Sequence, residues 1–158
     1  MAGLDPVFFR REVNPDTKSI VYWARPDRDV IYFGKDDLSI FERECRTNRA
    51  NGRVCLHYDS SAPYHDMIIF EWSIRDFPTH RHPGKSETIM PLLGEVTVVI
   101  NDGSNKNTYC IVPGQILLVP PNTWHKISTG SPYSIYRESK MGPFLGDSDR
   151  EFLIRKEK

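Results

Sequence analysis

An all-β domain is the fold class this sequence predicts, and two observations predict it. Twelve prolines and ten glycines punctuate short apolar runs, which suits strands and turns better than long helices. Turn-forming groups also fall between those runs: Asn101-Asp102-Gly103, Pro113-Gly114 and Pro120-Pro121-Asn122. The expected strands are Val7–Val13, Ser19–Ala24, Val30–Phe33, Asp66–Ile74, Glu95–Ile100, Thr108–Val112, Ile116–Val119, Lys126–Ser128 and Ser134–Glu138. Many short strands in one small chain make a sandwich or a closed barrel, and periodicity does not choose between them.

One stretch departs from the β pattern. Asp36 or Asp37 can cap a helix on which Leu38, Phe41 and Cys45 share a face, with an end near Asn51-Gly52. The organisation expected is therefore N-terminal strands and a helix over residues 1–60, a barrel over 61–145 and a loosely packed tail over 146–158.

With 158 residues the chain has room for one domain and a core of its own. Its formal net charge of zero argues against nucleic-acid binding, which needs a basic surface to displace counterions. No apolar run approaches a membrane span, and Met1–Val13 has no signal-peptide core. Cys45, Cys55 and Cys110 are odd in number and widely spaced, so they are read as free thiols of a cytoplasmic protein.

The chemistry concentrates in Thr79-His80-Arg81-His82-Pro83-Gly84-Lys85-Ser86-Glu87. On an extended strand His80 and His82 project from one face, because strand side chains alternate. Pro83-Gly84 turns the chain, and Glu87 can return as a carboxylate ligand. Further on, Gly114-x5-Pro120-x-Asn122-x2-His125 describes a strand, a Pro-rich turn and a histidine opening the next strand. Three imidazoles and one carboxylate suit one divalent Fe, Mn, Zn, Ni or Co ion.

The run His80-x-His82-x4-Glu87-x6-Gly94 resembles the first motif of the cupins, and Gly114-x5-Pro120-x-Asn122-x2-His125 resembles the second. Ile74 stands where the first motif usually has glycine, and Asn122 where the second does. The resemblance implies a cupin fold, a double-stranded β-helix or jelly-roll barrel, with an N-terminal strand and helix extension. A further similarity covers Arg46-x2-Arg49…His57, Asp66-Met67-Ile68-Ile69 and Glu138-x-Lys140-x-Gly142-Pro143-Phe144. These segments resemble the WbuC-type cupin fold metalloproteins, which implies a bacterial surface-polysaccharide setting and a sugar or sugar-nucleotide ligand.

Other side chains are candidates around the metal. Arg43, Arg46, Arg49 and Arg53 recur at helical spacing, as a solvated face interleaved with Glu42 and Glu44 or as an anion clamp at the barrel mouth. In the second case Arg49, Arg53 and Arg46 bind substrate, and Lys85 in the ligand loop joins them or points to solvent. Tyr136 and Glu138 alternate along a late strand and can line the interior, where a buried Glu138 needs Arg137 or Lys140 as partner. Trp124 can wall the pocket or simply pack. His57 and Glu138 are the candidate catalytic bases, and His65 is read as a surface residue.

Three functions fit this set. The first is Lewis-acid isomerase, epimerase or lyase chemistry on a small oxygenated sugar or carboxylate ligand. The second is an Fe(II) dioxygenase of a small organic acid, and the third a non-catalytic carbohydrate-binding cupin. A homodimer is expected if the N-terminal strands extend a sheet into a second copy.

Overall fold

The computed structural model describes residues 3–73, 77–101 and 105–153. Along the chain run β1 (Phe9–Val13), β2 (Ile20–Ala24), α1 (Lys35–Asn48), β3 (Gly52–Cys55), β4 (Tyr64–Trp72), β5 (His80–Arg81) and β6 (Glu87–Leu93). They are followed by β7 (Val96–Asn101), β8 (Lys106–Ile111), β9 (Leu117–Val119), β10 (Trp124–Thr129), β11 (Tyr133–Met141), a 3-10 turn over Gly146–Asp149 and β12 (Glu151–Phe152). These strands form a seven-stranded sheet, β1-β2-β3-β4-β11-β6-β9, and a five-stranded sheet, β12-β5-β10-β7-β8. The architecture is mostly β, two sheets face to face as in a double-stranded β-helix.

Strand alternation divides the large sheet into two cores. Ile20, Tyr22, Val54, Ile68, Phe70 and Ile135 point to the outer face, where Phe41 and Cys45 of α1 pack on them. Ile89, Val119 and Tyr136 point inward and meet Val96, Val98 and Ile127 of the small sheet. The helix therefore covers the outside, and the interior is left for the two sheets.

The expected helix forms, with shifted ends. Neither Asp36 nor Asp37 is the cap: Gly34 is, and the Asp37 carboxylate accepts its backbone N–H at 2.8 Å. The helix stops at Asn48, ahead of Asn51-Gly52, because Arg49 turns left-handed at φ 50°.

The strand expected over Val30–Phe33 does not form. Ile31 and Phe33 pack against the outer core without a ladder partner, while Val30 and Tyr32 stay exposed. Conversely β3 and β6 were not expected as strands, and of the extended stretch read for His80 and His82 only His80–Arg81 is ladder-paired. Pro91 hides β6, since proline donates nothing to a ladder. Here β9 pairs only as far as Ile89, and the register with β11 shifts at Ile135/Tyr136 beside Pro91. Asp102 and Gly103 of the expected turn, and Ile74 at the end of an expected strand, lie outside the described residues.

The described part of the tail, residues 146–153, is docked rather than loose. β12 pairs with β5, and Asp149 is buried. All three cysteines are free. Among the described residues no helix is long and apolar enough to cross a membrane.

Candidate metal centre

Two turns bring the four expected ligands to one end of the barrel. His80 in β5 lies directly opposite His125 in β10. His82 follows β5, and its carbonyl accepts the Asn122 N–H at 2.7 Å, which joins the two motif turns. Asn122 has φ 62°; asparagine tolerates this left-handed conformation, so the replacement of the usual glycine keeps the turn. Gly94, at φ 76°, is not replaceable in this way, since a Cβ there would press on the Tyr133 carbonyl and the Ser134 side chain.

Every imidazole is aimed. The Nδ1 atoms of His80, His82 and His125 lie 3.1, 2.6 and 2.9 Å from the carbonyl oxygens of Pro78, Asp149 and Thr123. A carbonyl only accepts, so each Nδ1 donates to its carbonyl and each ring turns its Nε2 the other way.

Two of those nitrogens, on His82 and His125, face Glu87. His82 Nε2 lies 3.0 Å from Glu87 Oε1, and His125 Nε2 lies 2.9 Å from Oε2. Ligand atoms of His80, Glu87 and His125 all fall within 4.8 Å of one another. Among the described residues, His82 Nε2, His125 Nε2 and Glu87 Oε2 are buried without an aligned hydrogen bond. Bonds of about 2.1 Å to one ion, set at right angles, would separate donor atoms by about 3 Å. The residues present therefore fit a divalent transition ion, which imidazole nitrogens and a carboxylate would hold.

Burial and neighbouring charges set the electrostatics of the cluster. Burial and the neighbouring His125 lower His80 to about 4, so its ring is neutral near pH 7. Burial alone would raise Glu87, but His125, His82 and the Lys140 ammonium outweigh it and hold the carboxyl well below the usual range. Burial would lower His125 as well, and Glu87 raises it instead.

Lys140 is the site residue that sequence reasoning named only as a partner. Its Nζ lies 2.9 Å from Glu87 Oε1 and 3.1 Å from Glu138 Oε1. The signal was available, since Lys140 stands two residues beyond Glu138 and so shares its face. Arg137 points outward to Asp66, with contacts of 2.7 and 2.6 Å. Asp149 and Phe152 were missed altogether. The Phe152 ring sits 6.2 Å from His80, and nothing local in the sequence announces a contact with the tail.

The remaining candidates divide. Glu138 lies on the interior face beside Lys140. Tyr136 is buried on the same face, but its hydroxyl donates to Glu71 at 3.2 Å and packing surrounds it. His57 is not brought to the ligands: it stacks on His65 at 4.2 Å and touches Trp23 and the Asp66 backbone. His65 is buried, not at the surface.

Trp124 alternates away from His125 and lies under Arg81, 4.6 Å from guanidinium to ring. Lys85 is tied to the Asp149 carboxylate and to the Pro143 carbonyl, so it points neither to solvent nor to a ligand. Arg46 belongs to the outer face, paired with Glu42 and set over Tyr133. Arg49 caps the helix and is exposed. Arg53 alone of the three stands on the interior side of the large sheet, opposite Ile69.

The His57–His65 stack predicts a pH dependence of stability. Burial, then the adjacent His65, lowers His57 to about 4. The unfolded chain takes up a proton near pH 6.5 and the folded one does not, so stability falls as pH drops from 6.5 towards 4. The slope is about 1.4 kcal/mol per pH unit for this one proton. Urea titrations across that window should show it, and His57→Gln should flatten it by that amount.

Two sheets face to face, with three histidines and one glutamate buried between them, give the double-stranded β-helix arrangement. Residues 73–133 match the family model described as Cupin domain. Among solved structures, the capsular polysaccharide assembling protein CapF from Staphylococcus aureus is similar at TM-score 0.53 and 14% identity, covering 61% of this chain and 30% of that one. Oxalate decarboxylase from Bacillus subtilis is similar at TM-score 0.53 and 12% identity, covering 65% of this chain and 27% of that one. The chain thus spans under a third of either structure, and the likeness is one of fold. No curated protein matches the sequence.

Proposed function

We propose that this chain is a metal-dependent cupin enzyme acting on a small oxygenated anion, by isomerase, epimerase or lyase chemistry in a bacterial surface-polysaccharide setting. The observation that carries the reading is the aim of the imidazoles: three Nδ1 atoms fixed on carbonyls, with the opposite nitrogens of His82 and His125 bare and buried against Glu87. His80, His82, Glu87 and His125 would hold the ion, which supplies Lewis acidity when bound.

The chain's own residues do the rest. Glu138 is the proton-transfer group, because it faces the interior beside the cluster and His57 does not reach it. Lys140 keeps Glu138 and Glu87 apart in charge and fixed in place. Arg53, on the interior side and exposed, contacts the anionic part of the ligand. The sugar or sugar-nucleotide class follows the WbuC-type sequence resemblance.

Elemental analysis of the purified protein, followed by mass-spectrometric screening of sugar nucleotides and keto acids with and without oxygen, tests this. The expected result is turnover that needs no oxygen and survives Zn or Mn loading. Glu138→Gln should lower the rate about 10²- to 10⁴-fold with metal content unchanged. Oxygen consumption that fails with Zn would favour a dioxygenase instead, and tight binding without substrate loss would favour a carbohydrate-binding module.

A further inference from the structure

His80 and His125 are each oriented by a carbonyl two residues earlier in the chain. His82 is not. Its Nδ1 proton goes to the carbonyl of Asp149, 67 residues further along the chain, at 2.6 Å. We propose that the C-terminal segment Leu145–Leu153 is a strap that sets the His82 ring, so that metal affinity and docking of the strap are one linked equilibrium, with Lys85 and Asp149 as its positioning residues. The inference rests on the metal-centre reading above.

The strap is fastened at three levels. Its buried Asp149 carboxylate receives Lys85, whose Nζ also reaches the Pro143 carbonyl at 2.5 Å. Lys85 comes from the loop between His82 and Glu87, so this ion pair locks the ligand loop to the tail. Next, β12 pairs with β5, placing Glu151 opposite Arg81 and Phe152 opposite His80. Arg81 Nε donates to Glu151 at 2.7 Å, and the Leu153 N–H donates to Thr79 at 2.9 Å.

The segment therefore brackets residues 79–82, the stretch that carries two ligands. An ordinary packed terminus would fasten itself to the nearest apolar surface. Here Phe152 and Leu153 remain partly exposed, while the polar contacts go to the ligand loop.

Partners that orient a metal-bound histidine typically contribute about 10- to 100-fold in metal affinity. Linkage is reciprocal, so the ion must favour the docked strap by the same factor. The full chain, freed of metal and titrated with cobalt(II) against a chromophoric chelator, measures the first half. Lys85→Ala and Asp149→Ala should each bind cobalt(II) about 10- to 100-fold more weakly, and Lys85→Arg should restore most of the loss.

Tryptic cleavage after Arg150, followed by mass spectrometry, measures the second half. Cobalt(II) should slow that cut in the unaltered protein by a similar factor. If Asp149→Ala does not fold, Lys85→Ala and the proteolysis of the unaltered chain still decide. Unchanged cobalt(II) affinity in the variants, with cleavage insensitive to the ion, overturns the strap and leaves the metal centre standing. Failure of the unaltered protein to take up cobalt(II) at all overturns both.

Discussion

His82→Ala combined with His125→Ala is expected to abolish stoichiometric metal binding while leaving a folded barrel. Each ring contributes a buried Nε2 that makes no aligned hydrogen bond among the described residues. Holding two such atoms dry costs about 1–3 kcal/mol each unless a ligand compensates them. Alanine removes that cost together with the donors. Against it stands the volume lost at His82 and His125, which sit at the end of the interior and outside the apolar cluster of Ile89, Val96, Val98 and Ile127. The metal-free variant should therefore unfold in urea within about 2 kcal/mol of the metal-free parent, the scale of a moderate core change. Elemental analysis should find less than a tenth of an equivalent of metal. Undiminished metal would mean that other donors hold it, and a collapsed fold would mean that the histidines are structural.

The candidate quartet was legible because each half is local. His80-x-His82-x4-Glu87 and the turn before His125 are written in spacing, and strand alternation converts spacing into direction. The meeting of the halves is the non-local part, made by the His80–His125 register and the Asn122–His82 hydrogen bond. Strands were legible where apolar runs were uninterrupted. β6 escaped because Pro91 argues against a ladder, and Val30–Phe33 was read as a strand because composition cannot report a missing partner.

Side-chain roles were harder. Arg46 and Arg53 looked equivalent on a helical stripe, yet the chain leaves the helix at Asn48 and returns as β3. One arginine thus ends outside the sandwich and the other on its inner side. Trp124, which could have walled the pocket or packed, lies against Arg81 on the other side of its strand from His125. Asp149 was beyond reach, because its contact with His82 depends on where the tail docks.

Lys140→Met is expected to cost more stability than any surface change and to show a pH dependence of its own. The Lys140 ammonium is mostly buried between Glu87 and Glu138. Burial would lower it, but Glu138 and then Glu87 hold it above the ordinary lysine range. Removing the cation leaves two neighbouring carboxylates in a site that excludes water. Breaking one side of such a buried network typically costs about 3–5 kcal/mol. In the metal-free variant the repelling pair should take up a proton that the parent does not. The variant's folded state then binds more protons than its unfolded chain near pH 6, so the stability gap to the parent narrows as pH falls from 7.5 towards 5. A bound divalent ion would neutralise Glu87 in the lysine's place, so the penalty should shrink in the metal-loaded protein. Urea titrations at both pH values, with and without metal, separate these effects. A penalty that is constant across all four conditions would show that Lys140 acts by packing alone, whereas Lys140→Arg, which keeps the charge, should recover most of the loss if the ion pair carries it.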